Sequence, residues 1–412
     1  MSGLNRNVPL LALAAALAMS ISSLIAATAA LVGNNLAADS SLATLPVALM
    51  FTATMCTSIP AAMLMQRIGR KAAFLFSTLF GIAGGALATL AIVRHSFWLF
   101  VCAIICIGVF SGFANFFRFA AADTVAAPHK GRAVSLVMVG GVIAAIIGPN
   151  LARFTRTAID DAEFAGAYLV SVGLYVLMLA ILAFLQLGES ESAFRHSREG
   201  MTRVHEGIAV DEPRLLGVIV RQPKYLIALI CGLFGYCVMT FIMTATPLAM
   251  QGHAFHFDAT SSVIQWHVVA MFAPSFVTGS LIARFGVAAI MSTGAAIGLA
   301  CIAVNLSGAT FGHYLVGLML LGLSWNFLFV GSTTLLTETY TLAEKNKAQA
   351  FNDFIVFTAV ALASLSAGAL QNRFGWEVVN LGALPLLLAA FTGSLWLFVL
   401  KRRTRAAGLV PA

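Results

Sequence analysis

The chain has 412 residues, of which 60% are hydrophobic and 10% charged, and its formal net charge is +8. Soluble globular proteins carry about 25% charged residues. So little polar sequence cannot cover a water-soluble particle, which excludes a soluble enzyme. The positive charge does not indicate a nucleic-acid partner, because the basic residues are scattered between apolar runs. The six cysteines lie within those runs without metal-ligand spacing, and we expect neither a metal nor a cofactor.

Apolar runs long enough to cross a bilayer as helices recur along the whole chain. The first six are predicted near 8–31, 42–65, 73–93, 97–119, 133–154 and 165–187. Six more are predicted near 225–248, 260–283, 289–306, 314–337, 348–370 and 378–400. The sequence therefore predicts four regions, which are a six-helix bundle over 1–187, a cytoplasmic linker over 188–224, a second bundle over 225–400 and a cytoplasmic tail over 401–412.

Lysine and arginine are distributed unevenly between the two sides of these runs. With the N-terminus in the cytoplasm, the loops on that side hold 19 basic residues and the opposite loops hold 4, while Arg118 lies within a run. Cytoplasmic loops of membrane proteins are enriched in lysine and arginine. We therefore predict that both termini are cytoplasmic and that the number of membrane-spanning helices is even.

Two segments recur in the same order in both halves of the chain. Residues 62–69 read AMLMQRIG and residues 279–286 read GSLIARFG, which share the pattern small-x-Leu-x-x-Arg-x-Gly. A second echo pairs HKGRA at 129–133 with EKNKA at 344–348. The fold class predicted is thus an all-α membrane protein with about twelve transmembrane helices in two pseudo-symmetric six-helix bundles. Related halves with a substrate site between them are typical of secondary transporters.

The loop after the second run resembles a signature of the major facilitator superfamily, running from Ala62 to Lys71. Ala62 replaces the usual glycine and Gln66 the usual aspartate. Gly148 and Pro149 resemble the core of that family's antiporter-type signature, and we expect roles for them in helix packing or gating. The resemblance implies the major facilitator fold, residence in a bacterial inner membrane and transport by alternating access.

The missing aspartate leads to a hypothesis about a cytoplasmic latch between the halves. In the family that aspartate helps to hold the outward-facing state against the eleventh helix. Asp353 lies near the start of that helix in this chain. We predict that Asp353 pairs with Arg67 or Arg70. The alternative is that Asp353 only stabilises the first turn of its own helix.

Candidate cavity residues follow from the family's use of helices one, four, seven and ten, and from the rarity of polar groups within the bilayer. They are Asn115, Arg118, Tyr236, Trp266, His267, Trp325 and Asn326, with Ser20, Ser23, Thr240 and Asn352 at similar depths. Three alternatives stay open: Arg118 could pair with Asp123, His267 could bond a neighbouring helix, and the tryptophans could face lipid. Pro247 marks either a gate or a plain helix terminus.

The leading functional interpretation is a secondary transporter that acts as a monomer, with a proton as the candidate coupling ion. The chain contains no G-x-x-x-x-G-K-[ST] phosphate loop and no convergent catalytic set. Helices one and seven contain no acid, which argues against a cationic solute. Residues 265–267 and 323–331 resemble a bacterial branch of the family that includes riboflavin importers. We therefore expect uptake of a neutral or weakly anionic aromatic solute, and the alternative is efflux of amphipathic compounds.

Overall fold

The computed structural model describes residues 6–125, 130–186, 214–341 and 344–406. Every regular element in those ranges is a helix, which agrees with the predicted all-α fold class. Most of the predicted linker and the end of the predicted tail lie outside the described residues. Below, the N-terminal half means residues 6–186 and the C-terminal half means residues 214–406.

The N-terminal half contains seven helices and one short 3₁₀ turn. The helices are α1 (Asn7–Leu36), α2 (Leu45–Ile68), α3 (Arg70–Val93), α4 (Phe97–Ala114), α5 (Phe117–Asp123), α6 (Lys130–Thr155) and α7 (Ala165–Ala183). The 3₁₀ turn covers Ser40–Leu42 between α1 and α2. The fourth predicted run thus differs from the expectation of one helix over 97–119, because it is interrupted after Ala114 and continues as α5.

The described residues of the C-terminal half also form seven helices. Its helices are α8 (Leu216–Val220), α9 (Pro223–Gly252), α10 (Phe257–Phe272), α11 (Ser275–Phe285), α12 (Val287–Ser307), α13 (Phe311–Thr337) and α14 (Lys345–Ala406). The eighth predicted run is bent by 42° between α10 and α11, where Pro274 cannot donate a backbone hydrogen bond. Gly375, with φ of 82°, breaks α14 into two segments between the last two predicted runs.

Among the described residues, nine helices are long and apolar enough to cross a membrane, and the bent pair α10–α11 supplies a tenth. Val139–Thr155 within α6 is a shorter apolar helix. Together with the break at Gly375, these segments correspond one for one to the twelve predicted runs.

Small residues let the helices within each half approach closely. A side chain at Gly140 would lie 3.0 Å from the Cα atom of Ala16, and one at Gly148 would lie 2.8 Å from the Cβ atom of Ser23. Glycines therefore bring α6 against α1 with almost no space between the backbones, as is common in membrane helix pairs. In the C-terminal half, Gly294 of α12 packs in the same way against Phe327 of α13.

A buried ion pair joins the start of the C-terminal half to the turn before α14. The Glu344 side chain is 2% exposed. It accepts hydrogen bonds from Arg214 Nε at 2.8 Å, from Arg214 Nη2 at 2.7 Å and from the Thr341 amide at 3.0 Å. These hydrogen bonds hold the pKa of Glu344 well below its ordinary value of 4.5.

Gly148→Ala should destabilise the protein by about 1–3 kcal/mol, because the added methyl group overlaps α1 in a tightly packed interface. Thermal unfolding of the purified protein in detergent measures this as a lower midpoint. Gly173→Ala in α7 is the matched control, since nothing lies within 4 Å of the added atom. Equal midpoints for the two variants would contradict the close approach of α1 and α6.

Glu344→Gln should lower the unfolding temperature, because the charge-assisted bonds from Arg214 are lost. A lowered carboxyl pKa adds stability above its ordinary value, and this stability disappears as the pH falls toward the folded-state pKa. The gap between the parent and Glu344→Gln should therefore be constant from about pH 8 to pH 5 and shrink below about pH 4. Glu338→Gln is the control, since Glu338 is 41% exposed and 3.7 Å from Lys224; an equal effect there would contradict the role of the buried pair.

Candidate functional site

A cavity of about 310 Å³ lies between the two halves. Ligand pockets in proteins have volumes of about 300–1,000 Å³, so this one can hold a small organic solute. It is lined by Met19, Ser22, Ser23, Ile25, Ala26, Ala30, Val47, Met50, Phe51, Thr54, Ser111, Asn115, Ala144, Tyr236, Met239, Thr240, Met243, Thr244, Val268, Met271, Phe272 and Phe357. The described lining residues include no charged side chain.

Two of the walls occupy equivalent places in the repeat. Of the six lining residues on α1, four form a stripe that we call the α1 wall, namely Met19, Ser22, Ser23 and Ala26. Of the five lining residues on α9, four form the α9 wall, namely Tyr236, Met239, Thr240 and Met243. Each set follows the i, i+3, i+4, i+7 spacing of one helical face. The shift that superposes residues 62–69 on 279–286 also superposes these two stripes.

The walls differ in size and chemistry despite this symmetry. The N-terminal half lines the cavity with the hydroxyls of Thr54 and Ser111, the amide of Asn115 and the apolar groups of Met50 and Phe51. The C-terminal half contributes more aromatic and methionine side chains beside the hydroxyls of Thr240 and Thr244; these are Tyr236, Phe272, Phe357, Met239, Met243 and Met271. A flat apolar ring fits against the aromatic and methionine side chains of the C-terminal half, and its polar groups can face the hydroxyl and amide groups of the N-terminal half.

Trp325 supports the aromatic wall from behind. It is 7% exposed and is not among the lining residues. Its ring stacks on Phe329 at 4.8 Å and meets Tyr236 edge-on at 5.7 Å. Its Nε1 atom has no hydrogen-bond partner within the protein. Trp325 therefore fixes the orientation of Tyr236, which does line the cavity.

Trp266 and His267, which the sequence predicts as cavity residues, both lie outside the cavity lining. Trp266 is 47% exposed, outside the lining. His267 is buried, and its Nδ1 atom lies 2.7 Å from the Leu318 carbonyl, so Nδ1 carries the proton and joins α10 to α13.

Asn326 lies outside the cavity lining and bonds polar groups at the break between α10 and α11. Its amide nitrogen donates to the Met271 carbonyl at 2.7 Å and to Ser275 Oγ at 2.6 Å. Its oxygen accepts from Thr278 Oγ1 at 2.7 Å. These bonds satisfy polar groups that the bend before α11 would otherwise leave unpaired.

Arg118 lies on α5, and its charge acts on both Tyr236 and Asp353. The guanidinium carbon is 4.8 Å from the centre of the Phe119 ring, and Nε has no hydrogen-bond partner. Asp353 of α14 is exposed and accepts from Asn352 at 3.1 Å. Arg118 and Asp353 thus carry opposite charges and belong to opposite halves.

Of the other two residues of the predicted latch, Arg70 pairs with an acid of its own half in this conformation and Arg67 is exposed. Arg70 pairs with Asp123 at 2.7 Å, within the N-terminal half. Arg67 is exposed at the end of α2. The cytoplasmic latch of Arg67 or Arg70 with Asp353 therefore stays a prediction about another conformation.

The halves are joined at one end of the bundle, where α1, α6 and α9 end and α2 and α10 begin. Here Arg153 pairs with Asp258 at 3.0 Å, and Asn150 donates to Gln265 at 2.9 Å. Ser261 donates to the Pro149 carbonyl at 2.8 Å. Further polar contacts between the described residues of the two halves lie at this end or near the middle of the bundle, for example the bond from Thr44 to the Leu365 carbonyl.

The residues predicted to act in packing or gating lie near this joined end. Gly148 packs on α1 and Pro149 accepts the bond from Ser261. Pro247 lies inside α9, so the alternative of a plain helix terminus is wrong. It lines a second, smaller cavity of about 100 Å³ with Arg156, Glu163 and Phe257.

Comparison with known sequences identifies relatives along the whole chain. A family model described as the Major Facilitator Superfamily matches residues 11–286 and again residues 228–411. The riboflavin transporter RfnT of Brucella anthropi is 39% identical over 382 residues, which cover 93% of each chain. YdeG of Bacillus subtilis, described as an uncharacterized MFS-type transporter, is 27% identical over 87% of this chain and 84% of its own.

Solved structures with the same fold include sugar transporters. A D-xylose–proton symporter superposes with a TM-score of 0.72 at 13% identity, covering 95% of this chain and 96% of its own. The E. coli xylose transporter XylE, in a partially occluded inward-open conformation, gives a TM-score of 0.67 at 13% identity over 93% of this chain and 96% of its own. At this identity the likeness concerns the fold alone. With the family match over almost the full length and a relative at 39% identity, the chain belongs to the Major Facilitator Superfamily and is a multi-pass membrane transporter.

Proposed function

We propose that this transporter imports riboflavin across the bacterial inner membrane by alternating access. The observation that carries the proposal is the cavity, whose aromatic wall, hydroxyl-bearing wall and uncharged lining suit a flat neutral ring with polar edges. A relative at 39% identity over 93% of the chain bears the name riboflavin transporter, which supports the same cargo.

The distribution of basic residues gives the proposed orientation. The joined end of the bundle carries the loops with few basic residues, whereas Arg6, Arg67, Arg70 and Lys71 belong to the opposite end. Because cytoplasmic loops are enriched in basic residues, the joined end faces away from the cytoplasm in this proposal. The conformation is then inward-facing, with the riboflavin cavity reached from the cytoplasm.

Energy for uptake comes from an ion gradient in this proposal, because the sequence has no phosphate-binding loop for ATP. A proton is the candidate coupling ion. Since the described lining contains no acid or base, a coupling proton has to use a group outside the cavity. Asp353 is such a group, since it is an exposed acid within the field of Arg118.

The latch of the outward-facing state forms between Asp353 and an arginine of the N-terminal half. Arg118 is the partner favoured by its electrostatic attraction to Asp353 in the inward-facing state. Closure of the cytoplasmic end brings α5 and the start of α14 together and shortens the distance between Arg118 and Asp353. Arg67 and Arg70 are the alternatives that the sequence predicts.

Expression of the protein should let a riboflavin auxotroph without an importer grow on low riboflavin, and should raise uptake of labelled riboflavin. Tyr236→Leu should raise the KM for uptake about tenfold, because it removes an aromatic face from the cavity. Trp266→Leu is the matched control, since this aromatic side chain lies outside the lining.

Equal KM values for Tyr236→Leu and Trp266→Leu at equal membrane levels would reject the cavity as the binding site. Absence of riboflavin uptake by the parent protein would reject the cargo. Efflux is distinguished by loading cells with an amphipathic dye: faster loss of dye together with no uptake of riboflavin would favour the exporter alternative.

Asp353→Arg should reduce uptake about tenfold or more, because it places like charges at the closing cytoplasmic end. Combining it with Arg118→Asp should restore part of the lost uptake if Arg118 is the partner. The same exchange with Arg67→Asp or Arg70→Asp identifies the partner instead. No recovery in any of the three double variants, each present at normal membrane levels, would remove the latch from the mechanism.

A further inference from the structure

Ser23 and Thr240 occupy the same place in the two halves of the repeat, and both line the cavity. Ser23 lies on α1 and Thr240 on α9, and these two helices pack against each other. Ser23 is 5% exposed and Thr240 is 3% exposed. The repeat thus supplies one buried, hydroxyl-bearing residue from each half to the cavity lining.

Neither hydroxyl has a hydrogen-bond partner among the residues that the structure describes. Most hydroxyls nearby bond to a backbone carbonyl one turn earlier in the same helix. Ser20 donates to Ala16 at 2.7 Å, and Thr246 donates to Ile242 at 2.8 Å. Even Ser22, which also lines the cavity, donates to Ala18 at 3.1 Å. Ser23 and Thr240 therefore lack the backbone hydrogen bond that these neighbouring hydroxyls make.

A buried hydroxyl without a partner destabilises the folded state, so buried polar groups that persist generally bond a ligand or water. Both residues line the cavity, and rotation about χ1 lets either hydroxyl turn toward it. Each hydroxyl can donate and accept a hydrogen bond. A solute that satisfies both needs polar atoms on its edge and a flat apolar body for the neighbouring Tyr236 and Phe272 rings.

We propose that Ser23 and Thr240 form a hydrogen-bonding pair that binds the polar edge of a planar heteroaromatic solute, with one hydroxyl contributed by each half. This inference rests on the proposed function for its cargo and adds the residues that recognise the ring. Because the solute bonds to both halves at once, its binding favours conformations in which α1 and α9 stay together around it.

The test compares hydroxyl removals on the two helices with matched controls. Ser23→Ala and Thr240→Val each remove one unpartnered hydroxyl, and each should weaken riboflavin binding and raise the uptake KM about tenfold. Their combination should multiply the two effects. Thr28→Val and Thr246→Val remove buried hydroxyls that already bond the backbone outside the lining, and they should leave the KM unchanged.

Lumiflavin, which keeps the tricyclic ring and lacks the sugar-like chain, identifies the part of the solute that is bound. It should bind the parent protein and lose affinity in Ser23→Ala and Thr240→Val by the same factor as riboflavin. A loss confined to riboflavin would mean that the hydroxyls bind the chain instead of the ring, and would overturn the proposal.

Ligand-dependent thermal stabilisation in detergent separates failure of this inference from failure of the riboflavin proposal. Riboflavin, lumiflavin, lumichrome and a carbocyclic ring of similar size are each added to the parent and the variants. Stabilisation by any of the heteroaromatic rings that is lost in Ser23→Ala and Thr240→Val, but kept in the controls, retains the pair even without riboflavin uptake. Equal stabilisation in all variants, or none by any heteroaromatic ring, overturns it.

Discussion

The lack of water in the hydrocarbon core controls this structure, because each polar group there needs a partner from the protein or from a solute. Ser20, Thr28 and Thr246 bond to carbonyls of their own helices. Asn326 bonds three groups at the bend before α11. Ser23 and Thr240 differ from the unpartnered Trp325 Nε1 atom because both of them also line the cavity. A solute in the cavity can therefore complete their hydrogen bonding.

The repeat explains how two walls of one cavity arise from similar sequences. Four lining positions of α1 superpose on four of α9 by the shift that relates 62–69 to 279–286, so the duplicated fold sets most of the positions of these helices that face the cavity. The side chains have diverged, since Met19 and Ala26 on one wall correspond to Tyr236 and Met243 on the other. A symmetric backbone therefore encloses an asymmetric cavity, as recognition of a ring with different edges requires.

Hydropathy and charge predicted the spans well, because length and apolar composition alone determine whether a helix can cross the bilayer. Depth along a helix also found Asn115 and Tyr236. It did not separate them from Asn326 or Trp266, since depth says nothing about the face on which a side chain lies. Asn326 is needed at a bend that follows from Pro274, and the sequence alone does not indicate which distant amide serves that bend. The repeat does pair the α1 and α9 stripes in the sequence, because the shift from 62–69 to 279–286 superposes them.

The contacts within and between the halves differ in a way that favours movement of the halves as units. Within the C-terminal half, Glu344 is almost fully buried and takes several hydrogen bonds from Arg214 and the backbone. Between the halves, Arg153 and Asp258 are 41% and 56% exposed, and such exposed pairs contribute only about 0–1 kcal/mol. Opening the joined end therefore breaks an ion pair that contributes little to stability. A solute held by one hydroxyl from each half contributes on the same scale, so its arrival can shift the balance between conformations.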